Sequence, residues 1–297
     1  MSNNPERVLV IGATGYIGRF VIANLKSQGY RVRAVVRDQH RAQEPGNYHA
    51  PALKGLVDEW VVRPSNDQPL DPKTMDSVDR VVSTLGVTRQ KADPWDIDFR
   101  LNLRYLDLAE QAKVKSFLYV GVVKAASGTS AVARSKHAFI EILRRSPVTS
   151  QIINPSGYFS DLSEIFAMAQ HGLAVGLGDG TTRLSPIHGA DLADFCVQKL
   201  SEDRGVWDVG GPDVLTYRQI VDLAFSTLGK NERYLRLPES ISTPATWVAD
   251  RISPRAGSLT RFFLEGLQTD ATAQPFGSRK LDDYFEQLAH EQTHGAS

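Results

Sequence analysis

Residues 7–18 read RVLVIGATGYIG: a β-branched run, Arg7 to Ile11, that breaks into Gly12-Ala-Thr-Gly15-Tyr-Ile-Gly18 and then into a helix-period segment over Tyr16 to Gln28. Ile17, Phe20, Val21, Ile22 and Leu25 fall on one helical face, and Gly29 ends it. Glycine permits positive φ and lets a pyrophosphate approach the main chain, while the third glycine lets helix pack on strand. The helix N-terminus adds free N–H groups and the positive end of its dipole. Elsewhere three glycines are only a tight turn; between this strand and this helix they point to a dinucleotide.

Outward from that turn the same alternation continues. Arg31 to Val36, Trp60 to Val62, Val78 to Ser83, Ser116 to Val120 and Ser150 to Asn154 read as strands, and Trp95 to Lys113 and Lys136 to Arg145 as helices. Strand and helix in alternation predict an α/β fold, a doubly wound parallel (Rossmann) sheet with a smaller C-terminal α/β lobe. The division expected is a dinucleotide-binding domain over 1–154 and a substrate lobe over 155–297, interleaved with the sheet and without a clean linker. Leu237 to Pro244 is the one linker-like break, and the segments after Pro244 read as helical.

Bulk properties exclude several classes. The 297 residues carry 34 Lys+Arg against 34 Asp+Glu, so no summed field attracts nucleic acid or anionic lipid, and any anion must be held locally. Cys196 is the only cysteine, which excludes an intrachain disulfide and fits a reducing compartment; in DLADFCVQKL it reads as a buried thiol. MSNNPERVLV does not resemble a secretory leader, and no run approaches the ~18 apolar residues of a membrane helix, so a cytoplasmic place is expected. No His, Cys or carboxylate set has metal-ligand spacing.

Cofactor choice is written at the end of the second strand, where the adenosine ribose of a bound dinucleotide lands. An acid there would accept hydrogen bonds from the 2′-hydroxyl of NAD. Here VVRD places Arg37 first, and a guanidinium pairs with the 2′-phosphate of NADP(H). Asp38 immediately after it keeps NAD as the alternative, and Arg33, on the same strand face, either assists or is solvated.

GATGYIG, VVRD, VDRVVSTLG, IDFRLNLRYLDLAE, the Lys136 helix, INPSGYF, PIHGADLA and DVGGPDVLTYRQI together resemble the atypical short-chain dehydrogenase/reductase superfamily over residues 7 to 290. Within it the chain looks like the NAD(P)H-binding epimerase/dehydratase-like proteins, with NmrA-like and divinyl chlorophyllide reductase-like relatives. The resemblance implies that Gly12, Thr14, Gly15, Tyr16, Ile17 and Gly18 line the pyrophosphate and that Arg37 meets the 2′-phosphate. It further implies that Thr84, Leu85 and Gly86 lie beside the adenine ribose, and that Pro155, Ser156 and Gly157 cradle the nicotinamide carboxamide. Asn102 matches an asparagine that steadies the active-site backbone; its alternative is a polar residue on an exposed helix face.

The departures matter as much. The superfamily pairs a lysine with a tyrosine four residues earlier; Lys136 fits the lysine, but Val132 stands at the tyrosine position and cannot transfer a proton. Gly121 occupies the place of the usual serine, and Pro64 lies where an acid often follows the third strand. Three readings follow: Lys136 is the base, as in isoflavone-reductase-like relatives, if burial or a neighbouring charge deprotonates it; Tyr158 supplies the phenol; or proton transfer is lost. The function expected is an NADP(H)-dependent oxidoreductase acting on a small organic carbonyl or activated double bond. The alternative is a non-catalytic cofactor-binding redox sensor or assembly factor, whose partner is a protein rather than a small molecule. His188 is read either as a pocket base or, in preference, as a residue that caps the Asp191 helix. Trp247, Phe262 and Phe263, with Arg251, Arg255 and Arg261, are assigned to lobe or dimer packing before a membrane surface.

Overall fold

The computed structural model describes residues 5–87, 92–238, 266 and 268–294. Strand β1 (Arg7–Ile11) passes through the glycine turn into α1 (Tyr16–Ser27), followed by β2 (Arg31–Val36), the short α2 (Gln39–Gln43), β3 (Glu59–Val62) and β4 (Arg80–Ser83). A π-helical stretch, Trp95–Leu101, runs into α3 (Asn102–Gln111), and β5 (Ser116–Val120), α4 (Ala131–Arg145) and β6 (Thr149–Pro155) complete the first half. These strands pair in parallel in the order β3-β2-β1-β4-β5-β6. The order reverses between β1 and β4, which opens a crevice at the C-terminal strand ends, where α/β proteins hold their ligands.

The chain then leaves the sheet and returns to it. After β6 come α5 (Phe159–Gln170), β7 (Ala174–Leu177), β8 (Arg183–Leu184), α6 (Gly189–Lys199), β9 (Gly205–Gly210), β10 (Leu215–Thr216) and α7 (Tyr217–Thr227). The last described elements are β11 (Tyr234–Leu237), β12 (Gln274–Pro275) and α8 (Leu281–His294). Strand β9 pairs with β6 and β12 with β9, extending the parallel sheet to eight strands.

Both faces of the sheet are covered, as a parallel sheet requires. On one face Val21 and Leu25 of α1 meet Leu192 and Cys196 of α6; on the other, Tyr105 of α3 and Phe139 and Leu143 of α4 pack under the sheet. Cys196 is buried, and that burial pushes its thiol pKa up, as befits a packing residue. A third core joins α5, α7 and α8 through Phe166, Ile220, Phe225 and Phe285. Each such fully buried apolar side chain contributes about 1.5–3 kcal/mol, so this lobe has a core of its own.

One predicted helix is revised. Trp95 to Lys113 is not one regular helix: it is π-helical to Leu101 and α-helical only from Asn102. The amide of Asn102 donates to the carbonyls of Ile97 (3.2 Å) and Asp98 (3.0 Å) and accepts from the Ser83 hydroxyl (2.5 Å). Asn102 is therefore fully buried, tying the end of β4 to the π turn, and the exposed-face alternative does not hold. The expected break beyond Pro238 and the residues from Trp247 to Phe263 lie outside the described residues.

Candidate cofactor and catalytic cleft

The glycine turn is built as its sequence implies. Gly12 has φ +79°, and a Cβ on it would strike the backbone of Thr84 at 2.8 Å; one on Gly18 would strike the Gly12 carbonyl at 2.3 Å. Gly18 is thus the packing glycine, set beneath the turn. Gly15 differs: it is the N-cap of α1, no side chain caps that terminus, and no acid sits in the first turn. Together with Thr14, Ile17, Thr84, Leu85 and Gly86, Gly15 borders a cavity of about 460 Å³ that continues to Lys136 and Tyr158. Arg19 supports the turn from behind: its buried guanidinium donates to the carbonyls of Thr14 (3.1 Å), Glu44 (2.6 Å) and Pro51 (2.9 Å).

At the other end a smaller pocket of about 90 Å³ joins the turn to Arg37. Arg37 is exposed, and no carboxylate among the described residues pairs with it. Asp38 is otherwise engaged, its carboxylate accepting the Arg41 N–H at 3.1 Å as the cap of α2. Arg33 neither assists nor is solvated: it is buried, ion-paired with Glu59 at 2.5 Å and donating to the Thr74 carbonyl at 2.8 Å.

The opposite corner holds the lysine. Lys136, from the first half of α4, places Nζ 2.8 Å from Asp98 Oδ1 and 3.5 Å from the Tyr119 hydroxyl. Asp98 is fully buried in the π turn, and its other oxygen accepts the Val87 N–H at 3.1 Å. Burial disfavours the ammonium, yet the Asp98 carboxylate outweighs it and the net direction of the Lys136 pKa is up. The pairing favours the charged form of Lys136, opposite to what a deprotonated base needs. Val132, one turn earlier, is buried and borders the cavity in the place of the missing phenol. Gly121 is a tight position: a Cβ there would lie 2.4 Å from Asn154 Oδ1, whose amide is engaged with Asp208 at 3.0 Å.

Tyr158 borders the same cavity at the N-terminus of α5, its ring 6.4 Å from that of Tyr16. Burial pushes its phenol pKa up, while the Lys136 cation pulls it back. Pro155 and Gly157 border the cavity as well; Ser156 between them is buried, its hydroxyl bonding the Ser185 carbonyl and accepting from the Ser185 hydroxyl at 3.1 Å. The PIHGADLA stretch is architectural. His188 Nδ1 accepts the Ala190 N–H at 3.1 Å as the cap of α6, and burial, helped by Arg279, pushes its pKa down to about 4. Buried Asp191 accepts the N–H groups of Ser278 (3.2 Å) and Arg279 (3.1 Å) and pairs with the Arg279 side chain. The Tyr16 hydroxyl accepts the Gly189 N–H at 3.1 Å, joining the glycine turn to this helix.

Asp98 escaped the sequence reading because it looked like one more charge on an amphipathic helix. The signal was there: Asp98, Asn102 and Tyr105 are spaced i, i+4, i+7, and the three share the buried stripe.

An eight-stranded parallel sheet with a glycine turn at its switch point and a fixed lysine opposite defines an NAD(P)-binding protein of the atypical short-chain dehydrogenase/reductase type. The chain belongs to the NmrA-like family, which it matches over residues 4–255. It is 26% identical to the chloroplastic divinyl chlorophyllide a 8-vinyl-reductase of Oryza sativa subsp. indica, over 98% of this chain and 80% of that protein. It is 23% identical to the photosystem II assembly factor Ycf39 of Cyanophora paradoxa, over 78% and 71%. In structure it resembles the NADPH-dependent quinone oxidoreductase QOR2 of Escherichia coli, solved with NADPH, with a TM-score of 0.73 at 18% identity over 95% of this chain and 99% of that one. Among the described residues no helix is long and apolar enough to cross a membrane.

Proposed function

We propose that the chain is an NADP(H)-dependent reductase of a small organic carbonyl or activated double bond. The observation that carries this reading is the single cavity that runs from the uncapped N-terminus of α1 to the buried Lys136, ion-paired with Asp98, and the Tyr158 phenol. The lining fits a dinucleotide: a Cβ on Gly15 meets only the Gly12 carbonyl, at 3.2 Å, so larger side chains would intrude on the cavity.

In this reading Gly12, Thr14, Gly15, Tyr16 and Ile17 hold the pyrophosphate through their main chain, with Gly18 packing beneath them. Arg37 takes the 2′-phosphate, Thr84, Leu85 and Gly86 flank the adenine ribose, and Pro155 and Gly157 border the carboxamide. Lys136 donates hydrogen bonds to the ribose hydroxyls of the nicotinamide nucleotide. When bound, the cofactor supplies a hydride. Tyr158 donates its Oη proton to the reduced substrate, and the Lys136 cation stabilises the phenolate left behind until water reprotonates it.

The test is loss of NADPH absorbance by purified, NADPH-saturated protein with a panel of quinones, enones and aldehydes. Y158F is expected to cut kcat about 100-fold with NADPH affinity unchanged. Bound NADPH that no panel member oxidises would sink the reading.

Two observations favour a second reading, a non-catalytic NADP(H) sensor or assembly factor: Val132 fills the phenol position, and Asn154 crowds any side chain at Gly121. The Ycf39 relatives are named for assembly. Capture of a protein partner that depends on NADPH, with no turnover, would favour it.

A further inference from the structure

A second arginine, Arg63, stands beside Arg37, and among the described residues no carboxylate pairs with it. The β2–β3 register ends on Val36 opposite Val62, so Arg37 and Arg63 are the next residues of neighbouring parallel strands, about 5 Å apart in the backbone. The Arg63 N–H donates to the Val36 carbonyl at 2.7 Å, which fixes that proximity. Like charges on adjacent strands repel. Elsewhere in this sheet the arginines are neutralised: Arg33 by Glu59 and Arg80 by Glu6.

Arg63 is buried, and every partner it has is neutral. Nη1 donates to the Tyr105 hydroxyl at 3.1 Å, and Nη2 to the carbonyls of Gln68 (2.7 Å) and Asn66 (3.4 Å); Nε is buried without a partner. Its guanidinium lies 5.9 Å from the Tyr105 ring centroid. Arg104 adds a third cation, donating to the same two carbonyls at 3.1 and 2.7 Å. The carboxylates of this loop are engaged elsewhere: Asp67 bonds Ser65, and Asp71 accepts the Lys73 N–H at 2.9 Å. Arg37, Arg63 and Asn66 border the small pocket at the adenosine end, and no acidic residue borders it.

A held, buried guanidinium with an exposed one beside it and no carboxylate in reach is a site that lacks its anion. We infer that Arg63 and Arg37 together form a two-guanidinium cradle for the 2′-phosphate of the dinucleotide, which makes Arg63 a determinant of cofactor choice. This rests on the reading of the cleft as an NADP(H) site. Arg37 is the exposed jaw of the cradle and Arg63 the buried one, oriented by Tyr105 and by the loop carbonyls. The same strand end that in many dinucleotide folds would offer an acid to adenine offers a cation here.

The experiment measures NADPH and NADH affinities by calorimetry on unaltered protein, R63Q, R63K and R37Q, with 2′,5′-ADP and 5′-AMP as fragments. The NADPH:NADH ratio is taken within each sample, so a lower folded fraction cancels. R63Q is expected to lower that ratio about tenfold or more, and R63K to lower it less. The 2′,5′-ADP:5′-AMP ratio should fall in parallel. An unchanged ratio in R63Q, with R37Q altering it, would overturn the cradle while leaving the NADP(H) reading intact. Unaltered protein that binds neither dinucleotide would overturn both.

Discussion

The two ends of the cleft are built on opposite electrostatic plans. At the adenosine end, Arg37 and Arg63 stand side by side with neutral partners only, so their charge is open to a ligand. At the nicotinamide end, Lys136 is matched at 2.8 Å by Asp98, so its charge is settled within the protein. An uncompensated cation is a binding device, since its stabilisation arrives only with the anion. A compensated cation is a positioning device, which holds its place and protonation state whether or not ligand is present. In the proposed reading, recognition is concentrated at the Arg37 end, while the other end carries a fixed ammonium and a phenol.

The largest effect expected from breaking this contrast falls on the compensated end. K136M leaves the fully buried Asp98 without its cation, which should cost about 3–5 kcal/mol of stability. Urea denaturation checks this, and K136M/D98N should recover much of the loss. A K136M protein as stable as its parent would show that the pair does not hold the corner. The glycine turn between the two ends comes next: G15V should weaken NADPH binding by about 100-fold or more, because branched carbon enters the space an anion needs at the helix N-terminus. Circular dichroism should remain that of the parent, and normal binding by folded G15V would make the turn purely architectural.

The smallest effect lies behind the nicotinamide end, at His188. Its folded pKa of about 4 is below the ordinary 6.5. Between those values the unfolded chain takes up a proton that the folded chain refuses, so stability is full above about pH 6.5, declines as pH falls toward 4, and changes no further below. After discounting for its partial exposure to solvent the loss is on the order of 1–2 kcal/mol. H188N keeps an acceptor for the Ala190 N–H but cannot titrate, so its unfolding midpoints at about pH 7.5 and about pH 4.5 should differ less than the parent's.

The sequence made the sheet legible because its strands are short, β-branched and separated by helices with one apolar face. The run over Arg31 to Val36 was read with the bounds the structure gives it, and the glycine turn fell between its strand and helix as expected. Less legible were polar residues whose partners are distant in the chain. Arg33 sits on a strand face like Arg37, and nothing in VRAVVR says that one meets Glu59 and the other solvent. Asp98 pairs across 38 residues with Lys136, and the π turn that delivers it depends on Asn102 capturing two carbonyls. Hydrophobic periodicity reports which face is buried but not which charges meet there.

The tight fit at Gly121 also couples two positions. Any side chain there, even a single methyl, must displace the Asn154 amide and presses on Ile140 at 3.2 Å. A serine at 121 is therefore decided jointly with the residue at 154, whose amide Asp208 holds at 3.0 Å, so the two positions change together or not at all.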